Sequence, residues 1–237
     1  MEFYHSFSSM KAANMDAKIT SPKSFVITML KILEQINTWG ASEDASSVRF
    51  PYLYVDTSNL KRAFIVKSNQ IVSFAFPFAI YTKKDSSGKE QLYINYRDIQ
   101  LDDQIISYAM SIAQTLDLGK SSYAAQAKGI DLTDVKKQAA VKVFEVALTL
   151  EPSYIRYDYD PDHASGQVHP LYHYDVNYSK DSSYKLGLYR DVDVVELKEL
   201  LDNNLQRRYA SRYSSLLRLW QRVTSFKNRN NIDNIWK

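Results

Sequence analysis

The chain has 237 residues, 30 Lys and Arg against 27 Asp and Glu, and a formal net charge of +3; with 45% hydrophobic and 24% charged residues it is too apolar and too evenly charged for a disordered chain. It contains no Cys, which excludes disulfides, thiolate zinc sites, cysteine nucleophiles and cysteine-ligated clusters. The longest apolar run, Ile71 to Ile80, is interrupted by Ser73 and Pro77 and is about half a bilayer span. No basic region followed by an apolar stretch stands at the N-terminus, so the expectation is a cytoplasmic protein that does not enter a membrane.

Residues 1–20 show no period and read as a mobile or loosely docked arm. Ser21-Pro22 reads as an N-cap with Pro at the first helical position. Phe25, Met29, Ile32, Leu33 and Ile36 then recur at helical spacing up to Trp39-Gly40. Phe50 to Val55, Ala63 to Lys67, Gln70 to Tyr81 and Gln91 to Tyr96 are rich in aromatic and β-branched residues. Short polar breaks between them predict an antiparallel meander, with Pro77 placing one strand at an edge or bulge. Helices are expected from Asp102 to Leu118 and from Leu132 to Leu150.

Three short strands follow, Tyr154 to Asp160, Leu171 to Tyr178 and Tyr184 to Tyr189. Asp193 then caps a helix running through Leu205, with Glu196 at the capping-box position. Helix, meander, two helices, meander, helix is the pattern of an α+β fold. The expectation is one domain over 21–230 with four or five helices, two meanders that can form one sheet, and a tail at 231–237.

The chemistry-bearing residues concentrate at 156–185. Three of four histidines, His163, His169 and His173, lie within eleven residues, beside Asp158, Asp160, Asp162 and Asp175. Strand alternation places Arg156 and Asp158 opposite Tyr157 and Tyr159, His173 and Asp175 opposite Tyr172 and Tyr174, and Lys185 opposite Tyr184 and Leu186. If the strands pair as a meander, the tyrosines share an apolar face. The other face then gathers Arg156, Asp158, His173, Asp175 and Lys185, with His169 nearby. Three readings fit this face. Asp158 and Asp175 can offer carboxylates to Mg²⁺ or Mn²⁺, or the histidines can bind Zn²⁺. A histidine can serve as acid or base in metal-free phosphodiester cleavage, with Arg156 and Lys185 stabilising the phosphorane. Or the cluster is a structural network of hydrogen bonds.

Two lookalikes fail on spacing. Asp158-x-Asp160-x-Asp162 opens like a calcium loop, but His163 stands at the Gly position and His169 at the bidentate Glu position. Gly119-Lys120-Ser121 ends like a P-loop, but Gln114 replaces its first Gly.

Residues 156–162 (RYDYDPD) with His169-Pro170-x-x-His173 resemble the RYDYDP…HPxxH signature of a bacterial family of unknown function and similar length. The similarity is strongest over residues 140–205 and extends from residue 25. It implies a setting in mobile elements and phage-defence loci. A weaker similarity is to small toxins of toxin–antitoxin pairs, which carry Tyr- and His-rich strands. The resemblance implies a context and assigns no catalytic residue.

From Asn203 to Ile232 there is no acidic residue, while Arg207, Arg208, Arg212, Arg218, Arg222, Lys227 and Arg229 contribute +7, leaving −4 for the remainder. On a helix the first five arginines fall within an arc of about 140°. Leu205, Tyr209, Tyr213, Leu216, Trp220 and Val223 take the adjoining arc. Guanidinium groups on one face suit phosphate contact, so RNA or DNA is the expected partner, with an acidic protein as the rival. The leading expectation is a nucleic-acid-directed defence or toxin-like protein, a ribonuclease candidate. Its alternative is a non-enzymatic subunit of a larger assembly.

Overall fold

The computed structural model describes residues 1–8, 19–84, 86–88, 90–115, 133–166, 168–179 and 181–205. The chain divides into two compact units, Met1–Val194 and Val195–Lys237. Among the described residues the fold is α+β. Strands β1 (Glu2–Ser6), β2 (Tyr52–Asp56), β3 (Arg62–Val66), β4 (Gln70–Ala75), β8 (Ile155–Tyr159), β9 (Tyr172–Val176) and β10 (Tyr184–Leu188) form a seven-stranded antiparallel sheet in that spatial order. Between β4 and β8 the chain leaves it to build a three-stranded sheet, β5 (Ala79–Lys84), β6 (Glu90–Tyr96) and β7 (Ile99–Leu101). Helices α1 (Pro22–Trp39), α2 (Asp103–Thr115) and α3 (Val135–Thr149) complete the first unit. No helix among the described residues is long and apolar enough to cross a membrane.

Helix α1 begins where Ser21 and Pro22 predict. The Ser21 side chain accepts from the Ser24 main-chain N–H at 3.1 Å. Gly40 ends the helix with φ 67°, and its N–H reaches the Ile36 carbonyl, a left-handed position that costs a residue with a Cβ more than it costs Gly. Phe25, Val26, Met29, Leu30, Ile32, Leu33 and Ile36 are buried. They belong to one core with Phe3, Leu53, Val55, Ala63, Ile65, Val72 and Phe74 from the large sheet, and with residues of α2 and α3.

Several expectations change. Residues 2–6 are not part of a loose arm: β1 pairs with β2, with Phe3 opposite Val55 and fully buried. The stretch Gln70 to Tyr81 is two strands in two sheets, because Pro77 cannot donate to a ladder and the chain turns there between buried Phe76 and Phe78. The short strand β7 carries little sequence signal.

A further change concerns the faces of the sheet. Directly opposed residues share a face, and the register runs His5, Leu53, Ile65, Val72, Arg156, Asp175, Lys185 across all seven strands. The charged residues of β8–β10 therefore extend the face that carries the hydrophobic core. The tyrosines face the other way, where the Tyr157 hydroxyl donates to the Asp191 carboxylate.

Helix α4 (Val194–Leu201) ends at Leu201 instead of Leu205. The tail at 231–237 and Arg207, Arg208, Arg212, Arg218 and Arg222 lie outside the described residues.

Candidate functional site

Of the six residues singled out for chemistry, the β8–β9–β10 register brings five together. Arg156 lies opposite Asp175, Asp158 opposite His173, and Asp175 also opposite Lys185. Arg156 donates through Nε to Asp158 Oδ2 at 2.7 Å and through its terminal nitrogen to Asp175 Oδ2. Lys185 Nζ donates to Asp175 Oδ1 and to His173 Nε2, both at 2.8 Å. The imidazole's other nitrogen, Nδ1, is 2.8 Å from the Pro170 carbonyl. A carbonyl only accepts, so Nδ1 carries the proton and Nε2 receives from the ammonium. Asp158 Oδ1 accepts from Gln70 Nε2 at 2.8 Å, a fourth strand's contribution.

Two cations meet two carboxylates, so the network sums to zero charge. That balance permits its burial: His173 is 0% exposed and Asp158 8%. Burial opposes the charge on Arg156, but the Asp158 carboxylate, the Tyr154 hydroxyl and Asp175 more than offset it and raise the guanidinium's pKa. Burial pushes the neighbouring Tyr154 phenol up to about 12. Gly187 lies opposite His173; a Cβ there would stand 2.9 Å from Pro170 Cγ. Glycine thus lets Pro170 sit close enough to present its carbonyl to the histidine.

Asp158, His173 and Asp175 bring one ligand atom each within 4.8 Å of one another, a spacing that fits a divalent cation. These three side chains are also bonded to Lys185 and Arg156.

The sixth residue, His169, stands beside this network. Its ring meets His173 edge-on at 4.9 Å and stacks with His163 at 6.1 Å. Asp160 lies between the two outer imidazoles: its Oδ1 is 2.8 Å from His163 Nδ1, and its Oδ2 is 3.1 Å from His169 Nε2. The second approach is close but not aligned as a hydrogen bond. A cavity of about 660 Å³ opens on this side, lined among others by Lys67, Asn69, Gln70, Arg156, Asp158 and His163. Sequence reasoning undervalued His163 and did not reach Gln70. The Asp160-x-x-His163 turn spacing is a usable signal for the first. Gln70 joins the network only through the non-local β4–β8 pairing.

Asp160 and His163 perturb each other. The hydrogen bond to His163 lowers the Asp160 carboxyl below its ordinary 3.8, and the bond to Asp160 raises His163 above its ordinary 6.5. Asp160 therefore contributes stability above pH 3.8, lost as pH falls through its lowered pKa. His163 contributes below pH 6.5, lost as pH rises through its raised pKa. The melting temperature of His163→Gln is expected to fall furthest below wild type between about pH 4 and 6.5 and to converge with it at alkaline pH. Both groups are solvated, so the gap is small; a gap that widens above pH 8 would contradict the pairing.

No family model, curated protein or solved structure matches the chain. The class that stands on fold and site is an α+β protein with a buried, charge-neutral network on a seven-stranded antiparallel sheet.

Proposed function

We propose that this chain is a nucleic-acid-directed protein of the defence or toxin-like kind, which grips the phosphate backbone through its basic C-terminal segment. The observation that carries the reading is the acid-free run from Asn203 to Ile232 with its seven cations, in a chain whose remainder is net negative. An excess of arginines without intervening carboxylates attracts a polyanion and releases its counterions on contact. The β8–β10 network supports the same reading as scaffold. Its carboxylates, ammonium, guanidinium and buried imidazole are all engaged with one another, which favours a role in holding three strands in register over a role in touching substrate.

The test uses the full chain with transfer RNA and with duplex DNA in mobility-shift titrations. Replacing Arg212, Arg218 and Arg222 together with Ala is expected to weaken binding at least about tenfold and to flatten its salt dependence by roughly one unit of slope per lost contact, with the melting temperature kept. Unchanged affinity in that variant would remove the basic segment from the reading. A complex with an acidic protein in place of nucleic acid would support the rival, a subunit of a larger assembly.

A further inference from the structure

The loop between β8 and β9 carries a second titratable group of residues that the buried network does not use. It is a closed, internally bonded loop. The Asp160 N–H donates to the Leu171 carbonyl at 3.0 Å, and Ser165 and His169 exchange main-chain hydrogen bonds at 2.8 and 3.3 Å. Asp160 leads the loop and turns its carboxylate back on it, accepting from the His163 ring at 2.8 Å. His169 backs the same carboxylate and rests on buried His173. The outermost member is thus braced through a chain of rings onto the sheet, while its own side chain is 73% exposed.

This is the geometry of an oriented imidazole. The carboxylate accepts a hydrogen bond from Nδ1–H and leaves the Nε2 lone pair directed outward, the tautomer a general base needs. His163 Nε2 has no hydrogen-bond partner among the described residues, whereas both nitrogens of His173 are taken. The bond to Asp160 raises the imidazole above its ordinary value, which strengthens it as a base.

His163 lines the cavity of about 660 Å³ together with Lys67 and Arg156, two cations, and Asn69 and Gln70, two amides. That volume suits a nucleotide-sized group. Asp158, Asp160 and Asp162 lie on the same wall; Asp158 already holds Arg156 and Asp160 the imidazoles. The three side chains that could hold a divalent cation, Asp158, His173 and Asp175, are bonded to Lys185 and Arg156. A base working without a metal-bound nucleophile needs a hydroxyl already positioned beside the phosphorus. RNA supplies one in its 2′-OH at high effective concentration, and DNA does not.

We propose that His163, oriented by Asp160, is the general base of a metal-independent RNA phosphodiester cleavage. This rests on the nucleic-acid reading above and adds the reaction. His163 Nε2 takes the proton of a ribose 2′-OH. The 2′-oxygen forms a bond to phosphorus, and the bond from phosphorus to the 5′-oxygen breaks. The imidazolium returns the proton to that leaving oxygen. The products are a 2′,3′-cyclic phosphate and a 5′-hydroxyl, with no oxidant, reductant or further reactant consumed. Lys67, on the same cavity wall, supplies the cation for the charge on the phosphorane. Asp160 and His169 are positioning residues.

The experiment incubates the full chain with labelled single-stranded RNA in EDTA, beside the same oligonucleotide carrying 2′-deoxy residues, and measures RNA binding in parallel. Wild type is expected to cut RNA to cyclic-phosphate ends and to leave the deoxy positions intact. His163→Gln is expected to lose about 100-fold or more in rate at about pH 8 while still binding RNA and, at that pH, melting close to wild type. Asp160→Asn is expected to lower kcat with KM kept, a split that a merely structural loss would not give. RNA bound by wild type but left intact in EDTA overturns this inference and leaves the binding reading standing. Cleavage that persists in purified His163→Gln overturns it as well. Failure of wild type to bind RNA at low salt sinks both.

Discussion

His173→Ala is expected to lose about 3–5 kcal/mol of unfolding free energy, measured as the shift in the midpoint of urea unfolding at constant slope. The imidazole is 0% exposed and makes one bond from each nitrogen, to the Pro170 carbonyl and from the Lys185 ammonium, each at 2.8 Å. Truncation leaves both partners short of a bond; Pro170 is half-buried and the Lys185 side chain 33% exposed, so each costs toward the lower end of about 1–3 kcal/mol. It also opens a void beside His169. His173→Asn separates the two terms, because a side-chain amide can still donate to Pro170 while losing the reach to Lys185. Its expected loss is about half. An alanine variant as stable as wild type would show that the histidine is not structural.

The other large effect is at Arg156. This side chain is 20% exposed and holds Asp158 and Asp175, which are 11% and 15% exposed. It thereby ties β8 to β9. Breaking a buried pair by removing one partner costs about 3–5 kcal/mol, most of it the uncompensated charge left behind. Arg156→Ala leaves two carboxylates to share Lys185 and Gln70, so a loss in that range is expected by chemical denaturation. Arg156→Lys keeps the charge but not the fork that reaches two carboxylates, and should recover less than half. In a double-mutant cycle with Asp175→Asn, the two losses should fall well short of additive. Additive losses would mean that the pair is not coupled.

The strands that carry this network were legible because their pattern is short and strict. Tyr157, Tyr172 and Tyr174 alternate with Arg156, Asp158, His173 and Asp175, and alternation alone sorts them onto two faces. Alternation does not say which face meets the helices. The alternation reads the tyrosine face as the apolar one, yet it is the charged face that continues the row of Leu53, Ile65 and Val72. Only the neutralisation of Asp158 and Asp175 by Arg156 and Lys185 makes that position tolerable, and this depends on register across three strands. Gln70 was out of reach for a related reason: β4 and β8 are brought side by side across a long excursion through a second sheet and two helices. Strand β1 was missed because five residues with Phe3 inward and Tyr4 outward give too short a period to stand out from 1–20. Helix α1, by contrast, carries its cap, its apolar stripe and its terminal glycine in local sequence.

The most direct measurement is the affinity of the full chain for single-stranded RNA across a salt series. With five arginines contacting phosphates, the logarithm of the binding constant is expected to fall with the logarithm of salt at a slope of about −3 to −4. Absence of binding at low salt, or a slope near zero, would contradict a nucleic-acid-directed function.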